Sequence, residues 1–596
     1  MRKPEGSQRK ATRAAAAATA FLGGMLAMSS AWAALPNCSV AVLTSLSVPN
    51  MSFTSATDVP AAGGNPEYCL VGGSLVTRGE GAPNGSALFN LELPANWNGK
   101  FLFFGVGGLA GSTLADFAAN PVDAGESLIK GYAIAITDTG HEAGNTDASW
   151  ALTASGSPDY AKIADYYYRA THQVTIAAQA LTRKYYRQKI SKSYFDGCSN
   201  GGRQALVEAT TYPDDFDGII AGDPFMGIRA ITGGVHFQKQ QLTPQTFIPA
   251  AMFPAIDQAT IAACDAADGV ADGLIQNPLA CSFDPKALQC TSGQTSNCLS
   301  PGQVATLRQY ITATRDRDGE VVYPGETISD LGGTDGIALW STGFIVPDFT
   351  AAEPWGGDGF GGPGLLLAPL GWQFSDHIIQ YLVERDPTFN LRSFDVSAKG
   401  VIGRAALALF DERTVAGDAD QPERLREFID KDKKLLIYHG FSDPALTAVR
   451  SVMFYERLAW EQGGFDRTQR NVRLFLAPGM HHCEGGPGPN FFDTLTPLED
   501  WVEQGQGPEA IIAAHFPGNV AGPTPDRTMP LCKFPEQARF TLDPKTATPA
   551  QIDNALNWVC PPRDKSLLLT GADGFAAGIG SPIAPERDRR RDHDRR

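Results

Sequence analysis

Gly197-Cys198-Ser199-Asn200-Gly201 lies between an apolar run, Ser193-Tyr194-Phe195, and a stretch of helical character from Gly202 to Ala209. It satisfies G-x-S-x-G in the strand, turn and helix setting that gives this motif its chemistry. The glycines are required because the serine sits on a turn too sharp for a Cβ on either side. The same turn places the backbone N–H of Asn200 beside the serine at a helix N-terminus, where developing negative charge is favoured. A bare G-x-S-x-G also recurs by chance as a glycine-rich turn, so the surrounding chain has to carry the reading.

Outward from that turn, Phe101–Phe104 ends at Gly105-Val106-Gly107-Gly108, and Tyr132–Ile136 ends at Thr137-Asp138. Phe216–Ala221, Lys434–Tyr438 and Val472–Leu476 read as further buried strands, and Tyr160–Tyr186 as a long helix. Strands alternating with helices imply a mostly parallel sheet covered on both faces, and with the serine turn they predict an α/β-hydrolase fold. The rhythm breaks between about Asp223 and Asp432, which holds four cysteines, an acidic glycine-rich loop and the low-complexity piece Gly356–Gly364. Some two hundred residues are too many for a structureless loop, so the expectation is a large inserted lid domain. The predicted division is a signal peptide (1–33), a first part of the core (34–222), the lid (223–432), a second part of the core (433–584) and a charged tail (585–596).

An acid and a base follow in the order Ser, Asp, His expected of this fold. Lys434–Tyr438 leads into His439-Gly440-Phe441-Ser442-Asp443-Pro444, and Val472–Leu476 into Ala477-Pro478-Gly479-Met480-His481-His482-Cys483. Catalytic groups gather past the carboxyl ends of such strands. Singly, Asp443 reads equally as a turn-forming aspartate before proline and His482 as a buried structural histidine; jointly with Ser199 they read as a triad. Acyl transfer follows: His482 takes the serine proton, and Asp443 fixes the tautomer and stabilises the imidazolium. The oxyanion donors are expected to be the N–H groups of Asn200 and of Gly108, with Gly107 next.

Of the 596 residues, 43% are hydrophobic and 19% charged, as in a well-packed globular protein. Arg2, Lys3, Arg9, Lys10 and Arg13, the apolar run Ala14–Met28 and Ala31-Trp32-Ala33 have the layout of a cleavable secretory leader, with a membrane-anchored N-terminus as the alternative. Removing five positive charges and one negative takes the formal net charge from −16 to −20. That argues against nucleic acid or anionic membrane as partner. Export, secreted or periplasmic, agrees with ten cysteines, an even number suited to disulfides whose pairing composition does not fix.

Cys198-Ser199-x-Gly201-Gly202, His439-Gly440-x-Ser442-Asp443, Pro478-Gly479-Met480-x-His482-Cys483 and the loop Cys264–Gly273 together resemble the tannase and feruloyl esterase family. The resemblance implies a disulfide between Cys198 and Cys483, tying nucleophile to base, and the pairs Cys38–Cys69, Cys264–Cys281, Cys290–Cys298 and Cys532–Cys560. In the acidic loop, Asp265, Asp268 and Asp272 alternate with glycines in a way that suits a hard cation or, equally, a solvated acidic turn. The resemblance implies structural calcium there and adds the carbonyls of Val270 and Leu274.

The resemblance also implies esters of small aromatic acids, hydroxycinnamoyl (feruloyl) or galloyl, as substrates. Terephthalate monoester hydrolysis looks like a specialisation that pairs a lid arginine with the free carboxylate. Gly362–Gln380, where that arginine is expected, has none, and Leu446 stands where that specialised enzyme has an aromatic residue; Arg385 or Arg392 could substitute. Phe374, Trp372 and Trp355 are candidates for stacking on a substrate ring, or are ordinary core. A catalytically silent binding protein of the same fold is the remaining alternative of a different class.

Overall fold

Runs with no polar alternation make the central strands. All five residues of β5 (Ala133–Thr137) are buried, as expected where both faces of a sheet are covered. The computed structural model describes residues 37–111, 126–294, 296–355, 368–562 and 568–569. The expected leader 1–33, the expected tail 585–596 and Gly356–Gly364 lie outside the described residues.

In chain order the other strands of the main sheet are β1 (Met51–Val59), β2 (Tyr68–Thr77), β3 (Gly85–Pro94), β4 (Lys100–Phe104), β6 (Lys192–Cys198), β7 (Gly218–Gly222), β10 (Lys434–Gly440) and β11 (Val472–Ala477). A small separate pair, β8 (Thr314–Arg315) and β9 (Val321–Tyr323), lies between β7 and β10. The nine-stranded order is β1-β2-β3-β5-β4-β6-β7-β10-β11. From β5 to β11 all neighbours are parallel; β1, β2 and β3 extend the sheet antiparallel. The parallel half matches the runs read from sequence, whereas the antiparallel edge does not follow from them. Side chains alternate between two apolar layers: Phe101, Phe103, Leu435 and Ile437 join one, Leu102, Phe104 and Leu436 the other. The helical stretch Tyr160–Tyr186 forms, with a π turn at Asp165–Arg169 between the helices Tyr160–Ala164 and Ala170–Tyr186.

Between β7 and β10 the chain leaves the sheet and returns to the neighbouring strand. This segment is mainly helical, including Ile231–Gln240, Phe253–Cys264, Pro301–Tyr310, Leu370–His377 and Arg404–Arg413. It has an apolar cluster of its own, with Phe237, Phe253, Ile256, Leu307 and Ile337, yet Trp355, Trp372 and Phe410 join it to one layer of the sheet. All ten cysteines are bridged: Cys38–Cys69, Cys198–Cys483, Cys264–Cys281, Cys290–Cys298 and Cys532–Cys560.

Register decides which loops meet. Cys198 pairs with Gly222, Gly222 with Tyr438, and Gly440 with Ala477. The carboxyl ends of β6, β7, β10 and β11 are therefore level, and Ser199, Asp223, Asp443 and His482 all leave the sheet on that edge.

Candidate active site

The strand β6 runs into the helix Asn200–Thr211 through one residue, Ser199, with φ 62° and ψ −120°. Such a backbone is strained for a residue with a Cβ and survives because its neighbours over-determine it. Ser199 N donates to Gly222 O (3.0 Å), while Ser199 O accepts from Phe225 N (2.9 Å) and Arg203 N (3.1 Å). A Cβ on Gly197 would lie 2.7 Å from the backbone of Gly201, so the first glycine of the motif permits a close approach rather than a special φ.

The proposed oxyanion loop is tied to this turn. Asn200 Nδ2 donates to Val106 O (2.9 Å), Val106 N donates to Gln204 Oε1 (3.0 Å) and Tyr166 OH to Gly108 O (3.4 Å). Arg203 is fully buried; it donates to Asn200 Oδ1 and to the carbonyls of Tyr166 and Tyr167 in the π turn, with its guanidinium over the Tyr166 ring. Gly108 has φ 57°, and a Cβ there would run into Asn145. Arg203, Tyr166 and the π turn were not legible as site elements, because only burial distinguishes this arginine from a surface one.

His482 Nδ1 lies 2.7 Å from Asp443 Oδ2. The adjacent His481 turns away to Asp330 O (2.7 Å) and Asp335 Oδ2 (3.1 Å), which assigns the two neighbouring imidazoles to different tasks. Burial alone would raise the Asp443 carboxyl; His482 and His439 more than reverse this and hold it well below the ordinary carboxylate range. Burial likewise opposes charge on His482, but Asp443 raises its basicity above the usual imidazole value. The Cys198–Cys483 bridge joins the residue before Ser199 to the residue after His482.

Ser199, Asn200, Gly108 and His482 line one cavity, which encloses about 900 Å³ together with its open mouth. Its walls include Trp340, Phe374, Leu446 and Phe225. The Trp340 ring stands edge-on to His482 (centroids 4.9 Å apart, 77°), and Phe374 lies parallel to Trp340 at 6.4 Å. Of the aromatics singled out in the sequence, Phe374 reaches the cavity. Trp355 and Trp372 are buried against each other, at 5.3 Å, and belong to the core. Trp340 was missed. Among the described residues lining the cavity there is no lysine or arginine. Arg385 instead faces Tyr160, and Arg392 donates to the carbonyls of Phe349 and Ala351. Glu326, also in the wall, is pushed up by burial to about 8 and bonded by the Tyr323 hydroxyl.

No residue of the acidic loop lines this cavity. Asp265 accepts from Asp272 N (3.2 Å) and Gly273 N (2.9 Å); Asp268 Oδ1 accepts from Val270 N, and Asp272 Oδ1 from Leu274 N. Asp268 Oδ2 and Asp272 Oδ2 are buried and have no hydrogen-bond partner. Burial pushes Asp268 up to about 7 and Asp272 to about 6, and the neighbouring acids add to the effect. Arg527 Nη1, 3.7 Å from Asp272 Oδ2, is the nearby counter-charge. Val270 and Leu274 pack into a cluster with Met529, Cys532 and Trp558.

A sequence profile described as tannase and feruloyl esterase matches residues 69–551. Similar curated proteins include a mono(2-hydroxyethyl) terephthalate hydrolase from Piscinibacter sakaiensis, 31% identical over 80% of this chain and 82% of that one. Feruloyl esterase B from Aspergillus niger is 29% identical over 78% of this chain and 82% of its own length. Among solved structures, feruloyl esterase B from Aspergillus oryzae superposes with a TM-score of 0.70 at 24% identity, covering 87% of this chain and 98% of that one, a likeness of fold.

Proposed function

The chain belongs to the tannase and feruloyl esterase family and is a carboxylic ester hydrolase, and on that premise we propose that it is an exported serine esterase cleaving neutral esters of small aromatic acids. Membership sets aside the catalytically silent alternative. The observation that carries the mechanism is the 2.7 Å Asp443–His482 hydrogen bond at the head of a cavity that Ser199 also lines. His482, held by Asp443 as the Nδ1–H tautomer, is the base toward Ser199. Asn200 N–H and Gly108 N–H receive the oxyanion, and Trp340 and Phe374 face the substrate ring. The segment between β7 and β10 contributes both aromatics and acts as the lid. Five disulfides support export into an oxidising compartment, and no helix among the described residues is long and apolar enough to cross a membrane.

The ester class follows from charge. A cavity whose described lining holds no lysine or arginine, and whose one carboxyl is kept neutral by burial, offers no permanent cation to a substrate carboxylate. Hydroxycinnamoyl and galloyl esters suit it better than a terephthalate monoester, the second reading, which the 31% identical relative's name brings in. A panel of methyl ferulate, methyl gallate, a neutral terephthalate diester and its monoester decides between them. We expect kcat/KM for the neutral diester to exceed that for the monoester by about tenfold or more, because an unpaired charge is expensive to desolvate. A preference for the monoester would sink the neutral-ester reading, and no hydrolysis of any aromatic ester would sink the substrate class.

Calcium fits the acidic loop on one observation: two buried carboxylate oxygens without a hydrogen-bond partner, each on a carboxyl pushed up by burial and by neighbouring acids, with Arg527 at 3.7 Å from one of them. Asp265, Asp268 and Asp272 with the carbonyls of Val270 and Leu274 would hold it. When bound it supplies positive charge to a structural loop and no chemistry at the ester. The loop bears on the catalytic end through Leu274, which fills the space a Cβ on Gly479 would need. Chelation should lower Tm by roughly 5 °C or more, reversibly on adding calcium but not magnesium. An unchanged Tm, with no calcium found in the purified protein by elemental analysis, would reduce the loop to an acidic turn.

A further inference from the structure

A second histidine and a second aspartate stand behind the Asp443–His482 pair, and the mechanism above does not use them. Asp443 Oδ1 accepts from Ala445 N (2.8 Å) and Leu446 N (3.0 Å). Its Oδ2 is shared: His482 Nδ1 at 2.7 Å and His439 Nε2 at 3.3 Å. His439 Nε2 also lies 2.8 Å from Leu446 O and 3.6 Å from Asp223 Oδ1. All three neighbours of that nitrogen are acceptors, so it carries a proton. Its Nδ1 is 2.7 Å from Ser451 Oγ, which donates when the ring is neutral and accepts when it is charged.

Asp223 is placed by the strand register. It follows Gly222 at the end of β7 with φ 35°, donates its N–H to Tyr438 O (2.9 Å), and accepts from Gly440 N (2.8 Å) at Oδ1. Its other oxygen lies 3.5 Å from Cys198 Sγ, a disulfide sulfur with no hydrogen to give. Asp223 and His439 are both fully buried.

We propose that His439 and Asp223 are positioning residues of the hydrolytic centre, His439 as a second imidazole on the Asp443 carboxylate and Asp223 as a second carboxylate that sets the charge balance around His482. The proposal rests on the triad reading. Two buried carboxylates then face two buried imidazoles, and the charge on each depends on the other three. Burial opposes charge on His439, but Asp223 and Asp443 hold its basicity above the ordinary imidazole value. Burial pushes Asp223 up to about 7, with His439 pulling the other way. For His482, after burial, Asp443 and then Asp223 raise basicity while His439 lowers it. Glu326, from the inserted segment, is the other acid facing Asp443 and His439, and burial keeps it neutral. Cys198 and Cys483 are bridged and do not titrate.

The two positioning residues therefore act on His482 with opposite signs. The acid limb of kcat/KM against pH reports the free-enzyme base. In Asp223→Asn, loss of a negative charge should move that limb to lower pH by at least about half a unit. In His439→Gln, loss of a positive charge should move it to higher pH by a similar amount. Profiles are measured on a p-nitrophenyl ester with the fold checked by circular dichroism. A purely structural role lowers activity or Tm without moving the limbs apart. A limb that stays put in either folded variant, or that moves the same way in both, overturns the proposal. If a variant does not fold, nitrogen-15 histidine spectra of the wild-type protein decide. His439 and His482 should titrate as one coupled pair, and independent titration of the two rings overturns the idea. The triad reading is tested separately by Ser199→Ala, so the two can fail independently.

Discussion

Ser199→Ala is expected to lower kcat by about five orders of magnitude or more with the fold intact. The backbone bonds that hold the turn, to Gly222 O from one side and from Phe225 N and Arg203 N on the other, do not involve the hydroxyl. Alanine meets the same left-handed φ of 62° as serine and adds no new steric demand. What disappears is the hydroxyl that the proposed mechanism uses to form the acyl-enzyme. The two proposed oxyanion donors and the cavity remain, so a residue of catalysis over water, about a thousandfold, should survive. Steady-state rates on the pure variant, with phosphonate labelling of the wild-type serine as the control, test the assignment. Retention of more than about a tenth of the activity would show that another residue is the nucleophile.

The second large effect is that of Asp443→Asn, about ten thousandfold in kcat, and here the structure forces the direction. The Oδ1 site must stay an acceptor, because two backbone N–H groups, of Ala445 and Leu446, point at it. The amide NH₂ of asparagine is then driven to the Oδ2 site, where it faces His482 Nδ1 and the protonated Nε2 of His439. A donor at that place holds His482 with Nδ1 unprotonated and its proton on the nitrogen that should take one from Ser199, so the base is disabled by tautomer rather than by misplacement. KM should change by much less than kcat, since neither atom lines the cavity. A variant within tenfold of wild-type kcat, folded by circular dichroism, would show that Asp443 does not orient His482.

The antiparallel edge β1–β3 escaped the sequence reading because its outer strand, Met51–Val59, is largely solvated and offers no clean apolar run. Trp372 and Phe374 sit two residues apart on one helix, one in the core and one in the cavity wall. Composition cannot separate them, because the difference lies in which way the helix turns each side chain. Trp340, edge-on to His482, carries no signal of its own in sequence. His439 reads as part of a motif and Asp223 only as the point where the strand and helix rhythm breaks, and register and burial make them part of a charge cluster.

The parallel half of the sheet, the strained serine turn and the order of Ser199, Asp443 and His482 were determined by the sequence alone. Each depends on neighbours a few residues away, namely apolar runs for strands buried on both faces, glycines for the close approach at the turn, and loops directly past strand ends. The tertiary structure decided which aromatics line the cavity, that no described lysine or arginine does, and that a second aspartate and histidine stand behind the first pair. These depend on register and burial. Strands far apart in the chain end level with one another, and removal from water, which no local spacing encodes, fixes which charges must be balanced and by whom.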